Sequence, residues 1–348
     1  SPGDRSRSSR CKPTTTEVAM ASFDVMPDMQ LFQPVELEDA LNLADRYRED
    51  GWLLGGGQDT YGWLKDRAKS PQAMIDLNGI EELRGIRETA DGIEIGAVTT
   101  LIDIIENSGL QRDYSLLVSA AARVASPQIR NVGTLGGNLV QDARCWYYRR
   151  GLDCYRAGGN ICYADSPQGM NREHSLFGAS RCVAVSPSDT ATALVALEAT
   201  MVARSVDGER QIAADKFFVG PATHITRMTS LKPGEILTSV RIPAKWAGKH
   251  FYFEKVADRN AWDFALVSIA AAMSLDNGVI SDARIVCGGV ACTPYRLHDV
   301  ERAVKGKSLS ESTAMELDGL ASKGARPLNY NHFKLPLMEN LVRRAMRS

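Results

Sequence analysis

The chain has 348 residues, of which 44% are hydrophobic and 24% are charged, and its net charge at pH 7 is -1. This composition is typical of a folded globular protein and lies outside the range of disordered chains. The near-neutral charge argues against a dedicated nucleic-acid binder. No apolar run reaches the roughly 18 residues that a membrane helix needs. The length predicts two or three domains.

The first segment, SPGDRSRSSRCKPTTTEVAM, is rich in Ser, Arg and Thr and lacks the apolar core of a secretory signal. We expect residues 1–27 to form a disordered tail. Beyond it, apolar residues at Leu37, Ala40, Leu41 and Ala44 have helical spacing. The stretch GWLLGGGQDT that follows is typical of a strand that enters a tight glycine loop.

The middle of the chain predicts short strands and helices around a second glycine-rich turn. Strands are expected for AMIDLNGI and IEIGAVTT, a helix for SLLVSAAARVA, and a turn for GTLGGNL. A further helix is expected over roughly residues 190–197. The last third alternates around Asn277-Gly278, which is the strongest short hairpin signal, and ends in helices at YRLHDVERAVKG and STAMELDGLASKG. The change of pattern near residues 246–249 predicts a domain boundary.

The two glycine-rich loops are candidates for binding an anion. Gly55, Gly56 and Gly57 remove three successive Cβ atoms, so that backbone N–H groups can converge on a phosphate. The turn over residues 134–138 adds a hydroxyl and an amide. Each loop alone is more typical of a tight strand-to-loop turn, whereas two in one chain favour a cofactor that contains a pyrophosphate. Neither loop matches the Rossmann or Walker A pattern.

Four of the seven cysteines lie in one stretch with little hydrophobic periodicity, residues 144–182: Cys145, Cys154, Cys162 and Cys182. Their separations of eight, seven and nineteen residues match neither a zinc ribbon nor a ferredoxin. Four thiolates without a nearby histidine pair suit a Cys₄-ligated [4Fe–4S] cluster, and the alternatives are two disulfides, zinc or unliganded thiols. An odd cysteine count in a long chain argues against a secreted disulfide framework. Cys287 and Cys292, in an apolar run, are expected to be plain buried thiols.

Other residues of the cysteine stretch carry weaker expectations. The backbone N–H groups of Gly158 and Gly159 are expected to donate to cluster sulfurs. His174 could be a ligand in principle, but an ordinary polar role is the better interpretation. Arg149 is expected to be solvated or to lie at an interface.

Five motifs in this order carry a family resemblance: LLGGGQDTYGWLK, SPQIRNVGTLGGNLVQ, VSPSDTATALVALEA, LKPGEILTSVRIP and FEKVADRNAWDFALVSIAAAM. Together they resemble the FAD-binding (medium) subunit of the xanthine dehydrogenase and aldehyde oxidoreductase family of molybdenum hydroxylases, from about Asp28 to the C-terminus. The resemblance implies an α+β fold: the two-part FAD-binding fold of the vanillyl-alcohol-oxidase (PCMH) type, followed by a C-terminal α+β domain. We therefore expect an FAD-binding region over 28–248, with subdomains of about 28–84 and 85–248 and an insertion at 144–182, and a last domain over 249–348.

The resemblance also implies roles for individual residues toward FAD, and none of them is catalytic. The first loop would wrap the pyrophosphate with Gly55, Gly56, Gly57, Gln58, Asp59 and Thr60, where Gln58 replaces the usual Thr. The second wall would consist of Asn131, Thr134, Gly137 and Asn138. Asp189 would hold a polar part of FAD, although Asp189 or Ser188 could equally be a helix N-cap. Ile236 and Leu237 would lie over the isoalloxazine ring, and Lys255 would lie near the flavin unless it is a solvated strand lysine.

The cysteine stretch resembles one branch of this family. The pieces RCWYYR, C…GG…C, G-x-N-R and C…PSD are similar to the periplasmic aldehyde-oxidoreductase-like branch. The resemblance implies that Cys145, Cys154, Cys162 and Cys182 are the ligands of a [4Fe–4S] cluster.

The function implied is that of an FAD and iron–sulfur electron-transfer subunit. Its partners would be a large molybdenum-cofactor subunit and a small [2Fe–2S] subunit, in a heterotrimer or its dimer, with an external electron acceptor and an aldehyde or N-heteroaromatic substrate. One alternative is a stand-alone flavin oxidase of the vanillyl-alcohol-oxidase type, and another is a non-catalytic assembly protein. A cytoplasmic location is expected, with co-export to the periplasm by a partner subunit left open.

Overall fold

The computed structural model describes residue 26 and residues 28–348. The expected disordered tail over 1–27 therefore lies outside the described residues, apart from Met26. Among the described residues, no helix combines the length and the apolar character that crossing a membrane requires.

The described chain forms three β-sheets with helices packed against them. The strands are β1 Gln30–Phe32, β2 Gly51–Leu54, β3 Ala73–Asp76, β4 Ile86–Thr89, β5 Gly92–Gly96, β6 Thr200–Ser205, β7 Gly208–Ala213, β8 Ile236–Pro243, β9 His250–Val256, β10 Val267–Asp276, β11 Val279–Gly288 and β12 Tyr295–Arg296. The helices are α1 Leu37–Tyr47, α2 Thr60–Lys65, α3 Leu101–Glu106, α4 Ser108–Asp113, α5 Ser115–Ala122, α6 Pro127–Arg130, α7 Leu135–Val140, α8 Trp146–Arg149, α9 Asp189–Ala196, α10 Ala214–Phe217, α11 His298–Val304, α12 Glu311–Glu316 and α13 Lys334–Ala345.

The first sheet is small and parallel, in the order β1-β3-β2. The predicted helix is confirmed as α1, and its four apolar positions are buried against Ile75 and Leu83. The predicted strands GWLL and AMID are confirmed as β2 and β3. Because β2 ends at Leu54, the first glycine loop emerges from the carboxyl end of a parallel strand, where ligands commonly bind in such sheets.

The second sheet has five antiparallel strands in the order β4-β5-β8-β6-β7. Helices α3, α5 and α9 share one apolar core with it. The predicted strand IEIG and the predicted helix SLLVSAAA are confirmed as β5 and α5. Every residue of α9 is buried, so this helix lies at the centre of the molecule.

The third sheet is antiparallel, in the order β12-β11-β10-β9, and both of its faces are covered. The predicted hairpin is confirmed, because Asn277 and Gly278 adopt φ values of 52° and 80°, as a type I′ turn requires. On β10, Ala270 and Ala272 face the core of the second sheet. Their neighbours on the strand face a separate core that includes α11 and α13. Alternation along one strand thus joins the last domain to the preceding one.

The cysteine stretch, 144–182, contains little regular structure: helix α8 and a single 3₁₀ turn, Tyr155–Ala157. Polar side chains from the last domain hold it in place. Asn331 donates to the carbonyls of His174 and Ser175, both at 3.1 Å, and Lys334 donates to the carbonyl of His174 at 2.9 Å. Buried hydrogen bonds from the last domain therefore help to anchor the stretch.

Candidate functional site

A cavity of about 610 Å³ lies where the two glycine loops meet. Ten of the fourteen residues predicted to bind the cofactor line it: Gly55, Gly56, Gly57, Gln58, Asp59, Thr60, Thr134, Gly137, Asn138 and Asp189. Cavities of several hundred Å³ are typical of sites for small molecules and cofactors. The structure therefore brings most of the predicted set to a single void.

Glycine is required in the first loop because the second loop lies directly against it. A Cβ on Gly55 would lie 2.7 Å from the Oγ1 atom of Thr134, and a Cβ on Gly56 would lie 2.2 Å from the carbonyl oxygen of Val132. Gly57 has a φ of +71°, which L side chains rarely adopt. The missing side chains let two backbone segments form one continuous wall of amide groups.

The second loop is fixed by its own hydrogen bonds. Thr134 caps α7, accepting at Oγ1 from the backbone N–H of Gly137 at 3.1 Å. The side-chain oxygen of Asn138 accepts from the hydroxyls of Ser188 and Thr190, at 2.7 Å and 2.6 Å. These bonds set the orientation of the Asn138 amide in the cavity wall.

Asp59 connects the first loop to the cysteine stretch. Its carboxylate accepts from both terminal nitrogens of Arg149, at 2.7 Å and 3.1 Å, and from the indole N–H of Trp63 at 2.9 Å. The guanidinium carbon of Arg149 also lies 4.3 Å from the centroid of the Trp63 ring. Arg149 is therefore not freely solvated, because its half-buried side chain is held in this ion pair, while its expected place at an interface stays a prediction.

Asp189 and Lys255 form a buried ion pair beside the cavity. The N-cap of α9 is Ser188, whose Oγ accepts from the N–H of Ala191 at 3.1 Å. Asp189 is free to accept from the Nζ atom of Lys255 at 2.5 Å. That amine also donates to the carbonyls of Arg123 and Asp263. Lys255 is therefore not a solvated strand lysine, and its amine contacts two residues of the cavity wall, Asp189 and Asp263.

Four predicted residues do not line the cavity. Asn131 is exposed at the end of α6, and Ile236 and Leu237 are buried in apolar cores at the start of β8. Lys255 lies behind Asp189, as described above. The roles of all fourteen residues toward FAD stay predictions.

Other residues complete the cavity wall and were not predicted. Leu231 and Pro233 line it from the loop before β8, and Trp262 and Phe264 line it from the loop before β10. All four belong to the quoted motifs LKPGEILTSVRIP and FEKVADRNAWDFALVSIAAAM. The motifs thus indicated the correct segments, whereas the choice of residue within each segment depended on the direction of the side chains.

The four cysteines of the stretch line a second, much smaller cavity of about 10 Å³, together with Arg156, His174 and aromatic side chains. The six described cysteines, including the buried Cys287 and Cys292, carry free thiols. Within the described residues, no group of three or more His, Cys, Asp or Glu side chains is arranged so that it could hold a metal ion. Burial raises the pKa of the Cys145 thiol to about 11, so a metal that bound there would have to displace a proton.

Backbone N–H groups point at two of the four sulfurs. Burial raises the pKa of the Cys145 thiol, and the nearby backbone N–H groups of Tyr148 and Tyr147 oppose this rise. Burial likewise raises the pKa of the Cys162 thiol, and the nearby backbone N–H groups of residues 165, 183 and 164 oppose this rise. Such donors stabilise a thiolate.

The expected donors Gly158 and Gly159 are not aimed at sulfur. Their N–H groups bond to the carbonyls of Tyr155 and Cys154, at 3.4 Å and 2.9 Å. Gly158 has a φ of +99° and ends the 3₁₀ turn, while a Cβ on Gly159 would lie 2.3 Å from the carbonyl oxygen of Asp153. These glycines close a tight turn, and the expectation that they donate to cluster sulfurs is wrong.

His174 and Arg156 add buried polar atoms to the small cavity. The Nε2 atom of His174 lies 3.4 Å from the sulfur of Cys145, and its Nδ1 atom has no hydrogen-bond partner. Burial lowers the pKa of His174 to about 4, so the ring is neutral at pH 7. Arg156 donates to the sulfur of Cys292 at 3.4 Å, and its Nε atom has no partner.

The two cavities lie close together. Trp63, Tyr148, Met228 and Cys292 belong to the apolar cluster that also contains three of the four cysteines. Cys292 contacts Met228 at 3.5 Å between the sulfur atoms, and Met228 lines the large cavity. The cysteine stretch and the glycine loops are therefore parts of one continuous region.

Comparison with known proteins gives two family matches. Residues 27–245 match the model "FAD binding domain in molybdopterin dehydrogenase", and residues 252–348 match "CO dehydrogenase flavoprotein C-terminal domain". The aldehyde oxidoreductase FAD-binding subunit PaoB of Escherichia coli K12 is 35% identical over 83% of this chain and 88% of its own. The glyceraldehyde dehydrogenase medium chain of Sulfolobus acidocaldarius is 28% identical over 86% and 89%.

A solved structure has the same fold. A chain of the carbon monoxide dehydrogenase of Hydrogenophaga pseudoflava superposes with a TM-score of 0.72 and 28% identity, covering 92% of this chain and 97% of that one. The predicted α+β fold, a two-part FAD-binding region of the vanillyl-alcohol-oxidase type followed by an α+β domain, is confirmed by these matches.

Proposed function

The chain belongs to the FAD-binding medium subunits of the molybdenum hydroxylases, and from that premise we propose that it carries FAD and a [4Fe–4S] cluster and oxidises aldehydes or N-heteroaromatics as part of a complex. Its partners are a molybdenum-cofactor large subunit and a [2Fe–2S] small subunit. It passes electrons from the [2Fe–2S] partner to an external acceptor. The observation that supports this proposal best is the adjacency of the glycine-loop cavity and the four-cysteine cavity.

The volume of the large cavity and the chemistry of its wall support FAD as its ligand. The glycine loops leave backbone amides and the hydroxyls of Thr60 and Thr134 along one side, as a pyrophosphate and a ribitol chain require. Trp262 and Phe264 provide flat apolar surface for a ring system elsewhere in the cavity. When bound, FAD supplies the ability to accept two electrons and to release them singly, while the protein orients the ring and excludes water.

The support for an iron–sulfur cluster is the set of thiols around the cysteine cavity, although their present arrangement could not hold a metal ion. Four thiols face one cavity, backbone N–H groups point at two of the sulfurs, and a buried cation lies beside them. A Cys₄ set of this kind is the usual ligand set of a [4Fe–4S] cluster. At about 10 Å³ the cavity is smaller than a cluster, so binding would require the four side chains to rotate outward. Cys145, Cys154, Cys162 and Cys182 are the proposed ligands.

The substrate class and the location extend this proposal. Two relatives are named as subunits of an aldehyde oxidoreductase and a glyceraldehyde dehydrogenase, which favours an aldehyde as substrate of the complex. We place the substrate pocket in the large subunit, and we propose assembly in the cytoplasm followed by export only if a partner carries a signal. The domain limits of 28–248 and 249–348, with the insertion at 144–182, are part of the same proposal.

Anaerobic purification followed by flavin and iron analysis tests the proposal directly. We expect one FAD and about four iron atoms per chain. Cys154→Ser should remove the iron and leave most of the FAD, because Cys154 lines only the small cavity. Cys287→Ala is the matched control, since it deletes a buried thiol of the last domain and should leave the iron in place.

Three results would contradict the proposal. Iron that survives Cys154→Ser at wild-type stoichiometry would exclude this ligand set. Oxidation of an alcohol by the isolated chain would favour a stand-alone flavin oxidase, and a protein that binds neither FAD nor iron would favour an assembly role.

A further inference from the structure

Trp262 has a backbone conformation that a bulky side chain rarely adopts. Its φ is +52°, in the left-handed region, where a residue of this size is an outlier. Its N–H donates to the carbonyl of Ala125 at 2.8 Å, and Ala125 itself has a φ of +44°. Both residues line the large cavity. Two strained segments therefore meet at this cavity, and such strain persists only where the surrounding structure enforces it.

The loop that carries Trp262 is fixed by hydrogen bonds around Asp263. The carboxylate of Asp263 accepts from the backbone N–H of Arg259 at 3.1 Å and from that of Phe264 at 2.9 Å. Its carbonyl accepts from the buried amine of Lys255 at 2.8 Å. The Arg259 guanidinium donates to the carbonyl of Trp262 at 2.7 Å. These bonds hold the backbone of Trp262 in its left-handed conformation, although the residue itself is 68% exposed.

The other aromatic side chains of the cavity wall already have partners. Trp52 and Trp63 donate their indole N–H groups to residues of the first glycine loop, at 3.2 Å and 2.9 Å. The guanidinium carbon of Arg144 lies 4.8 Å from the ring centroid of Phe264. Within the described residues, by contrast, the indole of Trp262 has no hydrogen-bond, ring or cation partner. An indole that lines a cavity without a partner offers its flat face to the ring of a ligand.

We propose that Trp262 is a binding residue that stacks on the isoalloxazine ring of FAD at the mouth of the large cavity, an inference that rests on the proposed function. Offset stacking of two flat rings is favourable beyond the area that it buries. The ring beside Trp262 is the isoalloxazine and not the adenine, because Trp262 is exposed to solvent and electrons must leave from a ring that an external acceptor can approach. The strained loop holds the indole in place before the cofactor binds, which lowers the cost of ordering it on binding.

Two measurements on the purified full chain test the inference: the dissociation constant for FAD and the fluorescence of the bound flavin. Trp262→Leu should raise the dissociation constant about tenfold, because one stacked pair of rings is lost. It should also raise the fluorescence of the bound flavin, because a stacked indole quenches an excited flavin by donating an electron to it. Trp262→Phe keeps a flat ring and should bind FAD within about threefold of the wild type.

Trp262→Gly separates the role of the ring from that of the strained backbone. Glycine adopts a positive φ freely, so this variant keeps the loop conformation and loses the ring. We expect it to weaken FAD binding about tenfold, as Trp262→Leu does. Wild-type affinity in Trp262→Gly would overturn the inference, because the residue would then serve only the conformation of the loop.

Trp146→Leu is the matched control. Trp146 is also an exposed tryptophan, at 56%, but it does not line the large cavity. We expect both the dissociation constant for FAD and the fluorescence of the bound flavin to stay at their wild-type values. Equal effects in Trp262→Leu and Trp146→Leu would contradict the inference, because the loss of any exposed indole would then have the same result.

The outcomes separate the inference from the proposed function. A wild-type chain that binds no FAD would refute the proposed function and the inference together. A wild-type chain that binds FAD, with the same affinity in Trp262→Leu, would refute the inference alone. A weaker affinity in Trp262→Leu with unchanged flavin fluorescence would also refute it, because the indole would then stack on the adenine or act through the loop.

Discussion

The large cavity and the cysteine cavity lie next to each other, but the first is formed by the absence of side chains and the second is enclosed by side chains. In the large cavity, glycines leave out side chains so that two loops meet around a void of about 610 Å³. In the cysteine cavity, side chains occupy almost all of the space, and a void of only about 10 Å³ remains. The first is preformed by backbone geometry, whereas the second is nearly closed by its own side chains.

The two regions also differ in what stabilises them. The glycine loops extend from strands and helices with apolar cores. The cysteine stretch depends on buried polar contacts from other parts of the chain, such as Lys334 and Asn331. We therefore expect changes in the large cavity to alter cofactor affinity, and changes at the anchors of the cysteine stretch to alter stability.

The largest expected effect is at Gly56. Gly56→Ala would place a Cβ 2.2 Å from the carbonyl oxygen of Val132, so the two loops must separate. We expect FAD affinity to fall by about a hundredfold, since overpacking of this kind costs about 3 kcal/mol. Gly62→Ala is the matched control, because a Cβ there meets nothing within 4 Å. Fluorescence titration with FAD measures the affinity of both variants. Equal affinities would show that the contact between the two glycine loops does not determine the form of the cavity.

The second prediction concerns pH and Lys334. Burial lowers the pKa of Lys334 to about 7, so between pH 7 and 9 the unfolded chain binds a proton there that the folded chain does not. The free energy of unfolding should therefore rise with pH, by about 2 kcal/mol over this interval, and Lys334→Met should abolish that rise. Urea unfolding at both pH values provides the measurement. Lys305→Met removes an exposed lysine and should keep the wild-type pH dependence of the free energy of unfolding. The same pH dependence in Lys334→Met would show that the buried Lys334 is not its cause.

The smallest effect is expected at the link between the regions. Arg149→Met removes both hydrogen bonds to Asp59 and should weaken FAD binding by about fivefold, as for a partly exposed bidentate pair. Arg150→Met removes an exposed charge one residue away and should have no effect. Iron content measured in the same samples sharpens the comparison: unchanged iron would mean that the two cavities are independent, and a parallel loss would mean that they are coupled.

Local signals in the sequence predicted the parts of the molecule that depend on backbone conformation. Gly55–Gly57 and Asn277-Gly278 have few conformational alternatives, so their loops could be predicted directly. The pairing of Asp59 with Arg149 joins residues ninety positions apart, and nothing in either neighbourhood indicates the other. Lys334 begins an amphipathic helix, where a lysine is ordinarily solvated. Such contacts depend on how domains dock, which a single sequence does not specify.

The burial of helix α9 affects which parts of the molecule exchange their amide hydrogens first. All eight of its residues are buried between the second and third sheets, and its first residue, Asp189, is part of the cavity wall. Its amide hydrogens can exchange with deuterium only when the two domains separate. We therefore expect the cavity wall at Asp189 to be among the slowest-exchanging parts of the described chain, and a molecule held in the cavity to leave by local opening of the glycine loops before this wall unfolds.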